Sequence, residues 1–97
     1  MENSKNYHDE QSMINITHMR EVLATLPGFC KSFFRGIQEY TSSRTRLAYA
    51  YDLRIFFEFL HDNNSVCKKL EITEYPLSIL DSICKEDIEE YMDYLSL

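Results

Sequence analysis

The chain has 97 residues, 44% of them hydrophobic and 13% aromatic, and carries a formal net charge of -6. That length holds one domain at most, and the apolar content is enough for a compact core and argues against a disordered chain. No apolar run approaches the roughly 18 residues of a membrane span, and no basic segment followed by an apolar one opens the chain, so no membrane contact is expected.

Taken in order, residues 1–12 are polar with one aromatic, and residues 1–16 are expected to form a flexible segment ahead of a helical domain over 17–97. Thr17 is placed to cap a short helix from His18 to Thr25, with Met19, Val22, Leu23 and Leu26 at helical spacing. Pro27 suits the first turn of a second helix, whose apolar stripe runs through Phe29, Cys30, Phe33, Phe34, Ile37 and Tyr40. Within it Gly36 marks either a close helix crossing or a simple tolerated glycine. The run Ser42–Leu60 has no Gly or Pro, starts on two hydroxyl residues that can cap it, and shows two apolar stripes. Tyr49, Leu53, Phe56, Phe57 and Leu60 make the first; Leu47, Tyr51, Ile55 and Phe59 make the second. A helix apolar on two sides is covered on two sides, so this one belongs at the centre of a small bundle. Asp62-Asn63-Asn64-Ser65 ends it, and residues 66–83 read as irregular, with a break at Tyr75-Pro76 and a single turn at Leu77–Asp81. A last helix follows, capped by Cys84 or Ser82, with Glu86 and Asp87 in its first turn and Ile88, Tyr91, Met92 and Leu95 as its buried face.

With only 2 Gly and 2 Pro, too few for the turns of a β fold, these elements predict an all-α bundle of about four helices. Phe33, Phe34, Leu53, Phe56, Phe57, Leu60, Ile88 and Tyr91 are its expected core. Cys30, Cys67 and Cys84 form no C-x-x-C pair, and His8, His18 and His61 share no ligand spacing with them. No metal or cofactor is expected, and small buried or half-buried thiols fit a cytoplasmic protein.

Charge is segregated along the chain. Residues 28–69 carry +3, from Lys31, Arg35, Arg44, Arg46, Arg54, Lys68 and Lys69 against Glu39, Asp52, Glu58 and Asp62. Residues 70–97 carry -7, with Lys85 alone against Glu71, Glu74, Asp81, Glu86, Asp87, Glu89, Glu90 and Asp93. The positive part coincides with the long helix. With Ser42 as N-cap, Ser43, Arg44 and Thr45 occupy its first turn, where free backbone N–H groups and the positive dipole end form a natural anion site. Ser43, Arg44, Thr45, Arg46 and Arg54 are therefore the candidate phosphate contacts.

Thr45, Tyr49, Asp52-Leu53, Phe56 and Phe59-Leu60 also stand in the order and spacing of a known signature. So do Ile83, Glu86, Asp87-Ile88, Tyr91, Tyr94 and Leu95 further on. The pair resembles the N-terminal core-binding, SAM-like domain of tyrosine recombinases, the phage-integrase class, over roughly residues 27–97. The resemblance implies a helical bundle that grips duplex DNA, with a catalytic domain of the same polypeptide completing the clamp and a recombinase oligomer assembling on DNA. The family bundle's last helix would follow residue 97. Where many relatives carry basic residues directly after the Tyr, this chain has Ala50 and Tyr51. The recombinase's Arg, His-x-x-Arg and nucleophilic Tyr are not found here, so the chain is not expected to be an enzyme by itself. The competing expectation is a protein-interaction module that uses the acidic last helix and an exposed Leu47/Tyr51/Ile55/Phe59 stripe.

Overall fold

A computed structural model describes the backbone of residues 2–96 and the side chains of residues 9–96. Its regular elements are helices α1 (Glu2–Leu23), α2 (Phe29–Ile37), α3 (Ser43–Asn63) and α4 (Lys85–Leu95). Short 3-10 turns at Cys67–Lys69, Ile72–Glu74 and Leu77–Ser82 fill the connection from α3 to α4. The chain is thus an all-α small bundle, and α3 is its centre: α1, the first two 3-10 turns and α4 all pack against it.

α3 forms where its periodicity and capping residues put it. Its N-cap is Ser42, whose Oγ accepts the Thr45 backbone N–H at 3.1 Å, satisfying one of the orphan donors of the first turn. The core gathers Val22, Leu23 and Leu26 from α1 and the turn after it, Cys30 and Phe34 from α2, and Ala50, Phe57 and Leu60 from α3. Cys67, Tyr75 and Ile79 from the 3-10 segment complete it. Phe57 is its aromatic hub, with ring centroids of Phe29 and Tyr75 each 6.1 Å away and Phe56 at 5.7 Å. Tyr75 donates its hydroxyl to the Cys67 carbonyl at 2.8 Å, and burial pushes its phenol up to about 12. Burial also raises the Cys30 and Cys67 thiols, whereas Cys84 is exposed.

Several expectations need correction. The expected boundary at residue 16/17 does not exist in the backbone, because α1 runs through it without a break. Thr17 is no cap: its Oγ1 donates back to the Met13 carbonyl at 2.9 Å, as a hydroxyl residue inside a helix does. The first half of α1 leaves the bundle, with Met13 and Ile14 exposed, and the molecule is accordingly elongated, 54 × 29 × 20 Å. α2 is shorter than its apolar stripe, since the chain turns after Ile37 and leaves Tyr40 exposed. Gly36 marks no crossing, for a Cβ there would meet nothing within 4 Å. Phe33 and Ile88, assigned to the core, are 51% and 44% exposed, and Tyr91 is only half-buried. Of the expected α4 face, Tyr91 packs on α3, together with Tyr94, while Ile88, Met92 and Leu95 are exposed.

α4 is fixed in that position by Asn64, which is 6% exposed. Its Nδ2 donates to the Ser82 carbonyl at 3.1 Å and to Asp87 Oδ2 at 3.0 Å. Its Oδ1 accepts the backbone N–H groups of Val66 at 2.9 Å and Cys67 at 3.0 Å. Asp87 in turn accepts the Cys84 backbone N–H at 2.9 Å, closing the cap of α4. That bond, more than those from the Cys84 thiol and Asn64, holds the Asp87 carboxyl below its ordinary range. A carboxyl depressed by folding stabilises the native state above its unfolded pKa, and the contribution is lost as pH falls through the folded value. Asn64→Ala is expected to cost about 2–4 kcal/mol, since buried N–H and C=O groups lose their partners together. It should also move the Asp87 titration upward toward the ordinary value. Urea unfolding and carboxyl NMR titration read both effects; a variant with parental stability and an unmoved Asp87 contradicts this account.

Candidate nucleic-acid interface

The candidate contacts lie at the start of α3 and along its exposed side, and they do not share one fate. Ser42 Oγ donates to Thr45 Oγ1 at 3.0 Å while accepting the Thr45 N–H, so the Thr45 hydroxyl is already half engaged and half-buried. Ser43 Oγ accepts Asn15 Nδ2 at 3.4 Å, a tie from α1 that leaves Ser43 half-buried. Asn15 itself is buried and accepts Gln11 Nε2 at 3.1 Å, which orients it toward α3.

Arg44 is exposed, and among the described residues it makes no ion pair. It stands in the first turn, where the helix dipole adds positive potential, and it is free to meet an anion. Arg54 is partly exposed; its Nε lies 3.9 Å from Glu58 Oε1 and its guanidinium 5.2 Å from the centre of the Tyr51 ring. Both contacts are at the surface, where a pair of this length holds an arginine weakly. Arg54 can therefore exchange Glu58 for a phosphate at little cost.

Arg46 must be withdrawn from the contact set. It is 8% exposed, and its Nη1 donates to the Thr41 carbonyl at 2.6 Å, the Gln38 carbonyl at 3.0 Å and Thr41 Oγ1 at 3.3 Å. The chain leaving α2 turns back over the first turn of α3 and presents these carbonyls to the guanidinium. Thr41 supports the turn by donating its hydroxyl to the Ile37 carbonyl at 2.7 Å. Arg46 thus closes the carboxyl end of α2, a cation where helix carbonyls lack partners.

Sequence reasoning missed a second set of cations. Arg20 in α1 and Lys31 and Arg35 in α2 line a groove between the two helices, and Arg46 reaches it from α3. Lys31 and Arg35 are four residues apart and so share a helix face, a signal visible in the sequence. Their convergence with Arg20 and Arg46 is tertiary and carries no local pattern.

On the apolar side, Leu47 is half-buried and Tyr51 and Ile55 are exposed at 38% and 42%, but Phe59 is covered by Tyr91 and Tyr94. The exposed stripe expected there is therefore interrupted. Among the described residues no group of His, Cys, Asp and Glu is arranged to hold a metal ion, and no helix is long and apolar enough to cross a membrane. No family model, curated protein or solved structure matches the chain.

The different burial of Arg44 and Arg46 gives a direct test. Arg46→Ala is expected to lower stability by about 2–3 kcal/mol, because the carbonyls of Gln38 and Thr41 lose a charged donor. Arg44→Ala should stay within about 0.5 kcal/mol of the parent, as surface changes do. Chemical denaturation of both variants decides; equal effects would mean that the two guanidinium groups are not differently placed.

Proposed function

We propose that the chain is the DNA-gripping module of a site-specific tyrosine recombinase or phage-type integrase, a SAM-like core-binding domain without catalytic activity of its own. The observation that carries this reading is the meeting of its two sequence elements. Phe56 and Phe59, from the first, lie against Tyr91 and Tyr94, from the second. The Phe56 and Tyr91 rings are 4.9 Å apart and edge-to-face; Phe59 is 5.2 Å from Tyr91 and 5.1 Å from Tyr94. Edge-to-face and tilted pairs at such separations are favourable packings. Two segments that resemble one family signature thus pack against each other, and this contact supports the reading.

In this reading the start of α3 meets the phosphate backbone of a duplex in the cytoplasm. Arg44 and Arg54 supply charge, and the N–H groups of the first turn, flanked by the hydroxyls of Ser43 and Thr45, supply directed donors. The duplex and the catalytic domain of the same polypeptide are the partners, within a recombinase oligomer on DNA. Repulsion from the acidic 70–97 segment keeps the isolated piece a weak binder, with affinity no tighter than micromolar at physiological salt.

A second reading rests on α4, where Ile88, Met92 and Leu95 are exposed beside Glu86, Glu89, Glu90 and Asp93. An open apolar face with an acidic border suits a basic, amphipathic protein partner.

Titration of a labelled duplex at several salt concentrations separates the two. The parent should bind more weakly as salt rises. Arg44→Ala with Arg54→Ala should reduce the slope of log affinity against log salt by about one for each phosphate no longer neutralised, with Lys68→Ala and Lys69→Ala as a milder control. Affinity indifferent to salt, or unchanged in the arginine variant, contradicts the DNA reading at this site.

A further inference from the structure

The groove between α1 and α2 has a volume of about 440 Å³, within the range of small-molecule sites. Arg20, Lys31, Arg35 and Arg46 line it together with Ile16 and Met19, and no carboxylate is among its lining residues. Among the described residues, none of these cations has a carboxylate within 4.0 Å. Cations gathered around a concave surface repel one another unless an anion enters, and a cleft lined by one sign of charge focuses the field that attracts it. Arg46 is held in place by its Nη1 bonds to Gln38 and Thr41, so little side-chain freedom would be given up on binding.

From this geometry we propose that the groove binds a small organic phosphate: the phosphoryl oxygens meet Lys31, Arg35 and Arg20, Arg46 adds positive charge from the groove wall, and an apolar or aromatic body lies along Ile16 and Met19. Guanidinium groups suit phosphate because they offer paired donors in a fixed plane. Among the proposed duplex contacts, Arg44 projects to the other side of α3 from Arg46, which it precedes by two residues, about 200° around a helix of 3.6 residues per turn. The proposal stands or falls without the DNA reading.

Adenosine monophosphate, inorganic phosphate and adenosine serve as probes, titrated into the whole chain at low salt and followed by amide NMR. Adenosine monophosphate should bind more tightly than phosphate, adenosine should not bind measurably, and the shifts should centre on Ala24, Lys31, Arg35 and Gln38. Lys31→Ala with Arg35→Ala, both at exposed positions, should weaken binding at least about tenfold with an unchanged thermal melt, because two charged donors to the phosphoryl group are removed. Nucleotide binding no tighter than adenosine, equal binding by the variant, or shifts centred elsewhere overturns the proposal. So does a variant that loses duplex binding while the parent ignores the nucleotide, which would make the groove part of a DNA surface.

Discussion

One buried amide ties the end of α3 both to the first 3-10 turn and to the cap of α4. A side-chain amide offers two N–H donors and an oxygen with two lone pairs. In Asn64 the donors reach Ser82 and Asp87, and the oxygen receives Val66 and Cys67, so the full capacity is used. Its backbone N–H also continues α3 by donating to the Leu60 carbonyl at 2.8 Å. One residue therefore ends the central helix, starts the 3-10 segment and anchors the cap of α4. Such fully satisfied polar nodes specify an arrangement because each alternative leaves a buried group without a partner. The ring contacts among Phe56, Phe59, Tyr91 and Tyr94 depend on it, since apolar packing alone fixes neither register nor angle so sharply.

The parts of the fold legible in the sequence were those written in local periodicity and capping. α3 announced itself by a long uninterrupted pattern and the Ser42 hydroxyl, and α4 by Cys84 with its acidic first turn. α1 did not, because the sequence of its first half is mostly polar with no apolar stripe; only the absence of Gly and Pro hinted at continuity. Burial was legible only in part. Phe34, Phe57 and Leu60 lie in the core as expected, yet Cys67, Tyr75 and Ile79 also do, from a segment without helical period. The candidate site failed at Arg46 for the same reason. Its neighbours Arg44 and Thr45 gave the correct polar helix start, but the carbonyls that capture Arg46 come from the turn after α2, a tertiary event with no sequence signature.

Removing Arg46 from the surface sharpens the electrostatic layout. Exposed positive charge now lies on the side of α3 carrying Arg44 and Arg54, in the groove carrying Arg20, Lys31 and Arg35, and at Lys68 and Lys69 on the first 3-10 turn, while α4 and its approach are mainly acidic. A bundle charged in this way is oriented by a polyanion before contact, even though its net charge opposes approach. In the proposed reading the scaffold acts by presentation: α1 covers one side of α3, and Asn15 of α1 bonds Ser43 in its first turn. With the Thr45 N–H taken by Ser42, the N–H groups of Ser43 and Arg44 are the ones that meet a phosphate in the proposed reading.

Amide NMR of the whole chain with a short duplex tests that claim most directly, because it reports where contact occurs and not only that it occurs. The account predicts shifts concentrated at residues 42–46 and around Arg54, diminishing as salt is raised. Shifts concentrated instead on α4 around Ile88, Met92 and Leu95, or none at low salt, would contradict it.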